Sequence, residues 1–399
     1  MASLLTLEEA QERVLALARP LEAEPVPIGE VAGRVVAEDV RARVDLPPFA
    51  SSAMDGFAVR AADLPGTLAI AGESAAGRPY DAVLEPGTAV AISTGAVVPE
   101  GADSVVPVER VVHNDNNVEI SLAFERGAHV RPRGGDVSAN DVVLAAGARL
   151  SPARIAAAAA AGVAELLCTR RPRVAVLATG SELVAPGETL LPGQIYETNG
   201  LMLSSALAAA GAEVVSEPPA ADDEAALRGA LERGLAADVL VTSGGVSVGE
   251  HDLVRAVERE LGVEEVFWRV CIKPGKPVSF GVREDTLVFG LPGNPVSALV
   301  GCELFVKPAL RALQGVPDPR PRFEPGLLAA GLRRNEDRDE FVRARARLEG
   351  EAVVLEPVSG QESHMIVRSG AADGLVHVPR GNGELAAGSA VRWLRLGDA

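Results

Sequence analysis

Aromatic side chains make up only 3% of the 399 residues, so any core must rest on Ala, Val and Leu, which the 47% hydrophobic content supplies amply. Cysteine is scarce. Cys168, Cys271 and Cys302 are odd in number, far apart and without a CxxC spacing. That pattern argues against a disulfide framework or a thiolate zinc site and suits a reducing cytosol. Long hydrophobic runs are missing: the most apolar stretch, residues 155–163, is mostly alanine and far short of the roughly 20 apolar residues that span a bilayer. It reads as a buried helix. Basic charge is in deficit, with 38 Lys and Arg against 55 Asp and Glu, a formal net charge of −17. Phosphate-backbone binding relies on Lys and Arg, so nucleic acid is disfavoured as a partner, and so is an anionic membrane surface. A small anionic substrate remains compatible where a local cluster of positive charge outweighs the global field. The N-terminus lacks the charged-then-apolar order of a signal peptide. GxGxxG and Walker A patterns are absent, and the five histidines show no metal-ligand spacing.

What is present is a change of texture along a chain long enough for two to four domains at about 100–200 residues each. Residues 7–18 have apolar positions at helical spacing, with Thr6 as N-cap and Glu9 in the capping-box position. From there to about residue 150, short Val-rich runs alternate with Gly, Pro and Asn-Asp clusters, and HNDNN (residues 113–117) is a hairpin turn signal. Residues 151–161 return to helix, capped by Ser151 with Pro152 in the first turn. After residue 172, continuous apolar runs ending in glycine (RVAVLATG, ADVLVTSGG, TLVFGLPG) and the run AEVVSE alternate with helical stretches at 198–210, 223–235, 252–261 and 294–313. That alternation predicts a doubly wound α/β domain with a parallel sheet. A proline-rich linker at 317–325 leads to short strand-like runs, which predict a small C-terminal β-barrel or sandwich. The expected domains are 1–26 with 137–170 (α+β linker domain), 27–136 (β-rich), 171–318 (α/β) and 319–399 (β-barrel).

Ligands of open α/β sheets bind at the carboxyl ends of strands. Three such ends carry glycine and hydroxyl residues before entering a helix: ATGSEL with Thr179, Gly180, Ser181 and Glu182; TSGGVSVGEHD with Ser243, Gly244, Gly245 and Ser247; and LPGNPVSA with Pro292, Gly293, Asn294 and Ser297. Glycine lets the backbone approach a phosphate, and the N–H groups then face the anion. One such turn alone is usually only a turn; three in one predicted sheet point to a phosphorylated ligand. Glu182, Glu250 and Asp252 sit beside these loops, where acids suggest a hard cation such as Mg²⁺ bridging to phosphate. Asp252 also stands where a helix N-cap is favoured, so capping and metal binding are equally served there, and Asp222 and Asp223 share the ambiguity. CIKPGKPVSF sets Lys273 and Lys276 around a Pro-Gly turn, either as a solvated turn or as two ammonium groups in register for an oxyanion. Asp55 lies in a proline-pinned loop, and Arg131, Arg133 and Asp136 surround two glycines in RPRGGD.

Taken together, PPFASSAMDGFAVR, STGAVVPEGAD, RPRGGD, ATGSEL, GQIYETN, TSGGVSVGEHD, IKPGKP and LPGNPVSA resemble the MoeA family in family order from about Asp45 to Ser297, with a weaker match in SGQESHM. These are molybdopterin molybdenumtransferases, related to the C-terminal domain of gephyrin. The resemblance implies that adenylylated molybdopterin and molybdate become molybdenum cofactor and AMP with Mg²⁺ assisting. It implies metal ligation by Glu182 and Asp252, and molybdate binding by Lys273, Lys276 and Ser297, with Ser363 and Arg343 as weaker matches. Asp55, Thr94, Arg131, Asp136 and Asp222 fall on family active-site positions, the first four supplied by a partner subunit, so an elongated homodimer is implied, and the family is expected in the cytoplasm. Where some members carry Lys before the KPGKP turn, this chain has Arg269, and the two are not equivalent donors. A molybdopterin adenylyltransferase shares the α/β domain, and gephyrin also acts as a scaffold. The extra terminal segments speak against the first reading, and the retained acids and lysines against a purely structural role.

Overall fold

The computed structural model describes residues 4–217, 224–245 and 253–397. The chain divides into two compact units: one holds residues up to Glu24, Gly33–Val35 and Thr169 onward; the other holds Pro25–Ala32 and Val36–Cys168.

The larger unit opens with helix α1 (Leu7–Leu17), whose capping box is formed as the sequence predicts: the Glu9 N–H donates to Thr6 Oγ1 at 3.2 Å and the Thr6 N–H to Glu9 Oε2 at 2.8 Å. The α/β domain follows as β1 (Arg173–Ala178), α2 (Asn199–Ala209), β2 (Glu213–Ser216), α3 (Glu224–Gly234), β3 (Val239–Ser243), α4 (Leu253–Glu260), β4 (Glu264–Trp268), β5 (Ser279–Arg283), β6 (Thr286–Leu291) and α5 (Pro295–Gly301). The six strands form one sheet in the order β2-β1-β3-β6-β5-β4. β2, β1, β3 and β6 run parallel, as expected. β4 and β5 were not expected as strands. β5 pairs antiparallel with both β6 and β4, so the sheet is mixed. The reason is connection length: only Glu284 and Asp285 separate β5 from β6, and so tight a turn permits only antiparallel pairing. Residues 295–313 are helical throughout, one residue short of the expected start because Asn294 is the extended N-cap, and a π-helical turn at Cys302–Val306 separates α5 from a final stretch, Lys307–Leu313. Gln11 of α1 donates to the Leu304 carbonyl inside that turn at 2.9 Å.

Both faces of the sheet are covered. Val174 and Val176 of β1 face Leu203, Leu207 and α1, whereas Ala175 and Leu177 face Leu227, Leu231, Val254 and Val257. The period of two explains why β1 reads as one continuous apolar run. The scarce aromatics are concentrated here: Phe280 lies 4.9 Å from Phe289 and 5.6 Å from Phe267 between ring centroids.

The chain then forms β7 (Phe323–Leu328), β8 (Asp339–Glu349), β9 (Ala352–Pro357), β10 (Gly374–Val378) and β11 (Ala390–Arg395). β8 pairs with β9 and β10, β9 with β7, β7 with β11, and β11 with β10, which closes a five-stranded barrel. Trp393, Leu355, Ala344 and Val376 are fully buried within its core. A two-residue strand, Ile272–Lys273, joins the barrel edge in parallel, with Ile272 opposite Asp339 and Lys273 opposite Glu340.

The smaller unit carries a six-stranded sheet in the order Ser104–Pro107, Gly56–Val59, Thr88–Ile92, Gly66–Ser74, Asn117–Ile120, Val112–His113. The HNDNN turn forms the expected hairpin, with Asn114 Oδ1 accepting from the Asn116 and Asn117 N–H groups at 3.0 Å. One expectation fails. The alanine-rich helix Pro152–Ala160 buries only Ala158 rather than forming a buried element. Alanine has the highest helix propensity and little area to hide, so such a helix stands without deep burial.

Phe280→Ala should destabilise the larger unit by about 3–5 kcal/mol, the cost of a cavity between two rings; urea unfolding measures it. The Asp238 carboxylate accepts two bonds from Arg170 at 2.7 Å and one from the Arg173 N–H at 2.7 Å. Burial pushes this carboxyl up, but the guanidinium and the N–H outweigh it and hold it below its ordinary value of 3.8. A depressed carboxyl stabilises the fold above that value and loses the contribution as pH falls through the lower folded one. Asp238→Asn should therefore lower stability at neutral pH and flatten its decline below about pH 4, read from unfolding midpoints across pH.

Candidate functional site

The strand order changes direction between β1 and β3: α2 leads from β1 to β2 on one side, and α3 leads back to β3 on the other. The crevice outside such a switch is where doubly wound sheets take ligands. Here its rim is Thr179 and Gly180 after β1, Ser243 at the end of β3 with Gly244 after it, and Pro292 and Gly293 after β6. The Thr179 N–H donates to the Ser243 carbonyl at 3.0 Å and the Gly244 N–H to the Leu291 carbonyl at 3.1 Å, so the three ends stay in register beyond the strands. Gly244 has φ +103°, and a Cβ there would meet the Thr179 carbonyl oxygen at 2.6 Å. Glycine is thus required by conformation and by space.

Sequence reasoning missed the residue that ties these loops together. Asn199, buried at the start of α2, donates from Nδ2 to Ser243 Oγ at 2.9 Å and to the Gly293 carbonyl at 2.8 Å. Its signal was only the N of GQIYETN, which resembles an ordinary helix start.

A second group of predicted residues converges on one cavity of ≈ 300 Å³ between the α/β domain and the barrel. Lys273, Lys276, Pro292, Asn294, Ser297 and Ser363 all line it. Arg338, Glu340, Gln361 and Glu362, which the sequence did not single out, complete the barrel side. The main-chain N–H of Val296 donates to the Ser363 carbonyl at 3.0 Å, which holds the tail loop against α5. Lys273 Nζ lies 3.0 Å from Glu340 Oε1.

Arg343 and Arg269 depart from expectation. Arg343 is fully buried and does not line the cavity: its guanidinium donates to the carbonyls of Gly360, Met365 and Glu362 at 2.6, 2.6 and 3.3 Å and to Ser369 Oγ at 3.0 Å. Burial lowers its pKa, with Glu362 acting in the opposite sense. Its planar fork organises the loop that presents Ser363 and is already committed to main-chain acceptors. Arg269, at φ +77°, stacks its guanidinium 3.7 Å from the centre of the Trp268 ring and lies outside the cavity lining.

Glu182 is exposed at the end of β1, two residues beyond Gly180. No group of three His, Cys, Asp or Glu side chains suited to a metal occurs among the described residues. Ser247, Glu250, Asp252, Asp222 and Asp223 lie outside the described residues.

In the smaller unit, Asp55 and Thr94 are brought together: Asp55 Oδ1 accepts from the Thr94 N–H at 2.7 Å and from Thr94 Oγ1 at 3.0 Å. Those two bonds hold the Asp55 carboxyl below its ordinary value. Arg131 sits opposite Ser51 in a two-residue strand pair, and the Asp136 N–H donates to the Leu46 carbonyl at 2.9 Å. Arg133 Nε pairs with Asp45 Oδ2 at 2.6 Å.

Each part of the chain matches a known family. Residues 5–162 match the MoeA N-terminal region (domain I and II), residues 175–312 a probable molybdopterin binding domain, and residues 325–396 the MoeA C-terminal region (domain IV). The chain belongs to the MoeA family. Molybdopterin molybdenumtransferase 2 of Mycobacterium tuberculosis is 39% identical over 399 residues, covering 96% of this chain and 98% of its own. The molybdopterin molybdenumtransferase of Haemophilus influenzae is 42% identical over 317 residues, 78% of each chain. A crystal structure of the molybdopterin biosynthesis MoeA protein from Pyrococcus horikoshii matches with TM-score 0.85 at 27% identity, covering 98% of this chain and 100% of that one.

Asn199→Ala should cost about 1–3 kcal/mol, because it leaves the buried Ser243 hydroxyl and Gly293 carbonyl without their donor. A change below about 0.5 kcal/mol in urea unfolding, the range of an ordinary surface substitution, would contradict the tie.

Proposed function

We propose that the protein inserts molybdate into adenylylated molybdopterin with release of AMP, producing molybdenum cofactor. The observation that carries this reading is the cavity in which Lys273, Lys276, Ser297 and Ser363 meet beside the strand-end loops. A tetrahedral dianion needs cations and neutral donors converging on a small volume, and this cavity supplies both. The glycine-rich ends after β1, β3 and β6 suit the phosphates and the pterin, whose close approach requires bare backbone. Barrel residues contribute Arg338, Glu340 and Ser363 to the cavity. An α/β domain alone could not build that wall, which favours molybdate insertion over an adenylyltransferase reading.

In this reading Lys276 and Ser297 orient the oxyanion, Arg343 keeps the Ser363 loop in place, and Asn199 holds the phosphate-facing loops in register. Glu182 offers a hard oxygen donor at the strand end, fitting Mg²⁺, with Asp252 as its proposed second ligand. When bound, the ion would polarise the phosphoanhydride as a Lewis acid. We further propose a homodimer in which Asp55, Thr94, Arg131 and Asp136 complete the opposing protomer's site. A cytoplasmic setting suits the three buried cysteines, Cys168, Cys271 and Cys302, none of which forms a disulfide among the described residues. No helix among the described residues is long and apolar enough to cross a membrane.

Purified protein supplied with adenylylated molybdopterin, Mg²⁺ and molybdate should release AMP in a molybdate-dependent manner. AMP release that ignores molybdate, or none at all, overturns the proposal. Lys276→Gln should raise the KM for molybdate roughly 10- to 100-fold, the worth of a charge-assisted hydrogen bond. A KM within about twofold of wild type, a change too small for the loss of such a bond, would remove Lys276 from the oxyanion site.

A further inference from the structure

The two lysines of the KPGKP turn are not electrostatically alike. Lys273 sits directly opposite Glu340 in the strand pairing that joins the turn to the barrel, and its Nζ lies 3.0 Å from Glu340 Oε1. Lys276 makes no ion pair among the described residues. Both lysines and Glu340 line the same cavity, and the Glu340 side chain is 16% exposed against 45% for Lys273. A carboxylate is thus built into the wall of a pocket read as binding an oxyanion, where it repels the ligand and neutralises half of the lysine pair. A structural salt bridge does not need that position, since a half-exposed pair adds little to stability.

We infer that Glu340 is the internal counter-anion of the oxyanion pocket, a positioning residue that holds Lys273 until an entering dianion takes its place. The inference rests on the oxyanion reading of this cavity. Lys276 would make the first contact, and Lys273 would then turn from Glu340 to the ligand. The exchange is inexpensive because the pair is weak. A fixed negative charge opposes a ligand in proportion to the ligand's own charge, so Glu340 weighs twice as heavily on a dianion as on a monoanion of the same shape. Its effect is to keep a tetrahedral dianion loosely held, so that it can be handed on rather than trapped.

The test is calorimetric titration of the full chain at low ionic strength with two tetrahedral probes, molybdate (a dianion) and perrhenate (a monoanion). Glu340→Gln should bind molybdate roughly 3- to 10-fold more tightly and perrhenate by about the square root of that factor. Glu340→Asp, which keeps the charge, should stay near wild-type affinity, and the KM for molybdate in AMP release should fall in Glu340→Gln without a rise in kcat. Equal or weaker molybdate binding by a folded Glu340→Gln, or equal factors for the two anions, overturns the inference. If wild type binds molybdate and Glu340→Gln does not differ from it, the role of Glu340 alone fails. If wild type binds neither anion, the oxyanion reading fails and the inference with it.

Discussion

Burying a sheet on both faces leaves only its strand ends free to meet a ligand. That constraint organises everything else in the larger unit. Helices cover Val174 and Val176 on one side and Ala175 and Leu177 on the other, so chemistry is confined to Thr179, Gly180, Ser243, Gly244 and Gly293 at the carboxyl edge. Asn199 then holds two of those ends together from the first turn of α2. The same crowding that requires glycine at position 244 leaves main-chain groups as the accessible donors.

A strand edge alone cannot surround an oxyanion. The second wall comes from the two-residue pairing of Ile272–Lys273 with Asp339–Glu340, which threads the lysine turn onto the barrel. Arg343 supports that wall from behind by spending its guanidinium on the carbonyls of residues 360, 362 and 365. In a chain with a net charge of −17, three cationic side chains, Lys273, Lys276 and Arg338, are gathered in one small volume against two carboxylates, Glu340 and Glu362, so the local charge is opposite in sign to the distant field.

Sequence patterning revealed the elements whose signals are local. The Thr6–Glu9 capping box, the Asn114 hairpin and the four parallel strands follow from residues adjacent in the chain. The antiparallel strands 264–268 and 279–283 were hidden because the lysine turn between them reads as loop. Arg343 matched an oxyanion position by motif, yet its partners lie about twenty residues away in a loop without periodicity, and only packing shows that they consume it.

The sequence by itself determined the fold class, the glycine turns at the strand ends, the lysine pair and the family resemblance, because each is written in short runs whose spacing is set by strand and helix geometry. Tertiary structure alone decided that Arg343 is consumed by main-chain carbonyls, that Asn199 bridges two loops, that Arg269 stacks on Trp268 instead of lining the cavity, and that Lys273 faces Glu340. Those relations depend on which strand lies beside which, and side chains far apart in the chain leave no local pattern from which such neighbours can be read.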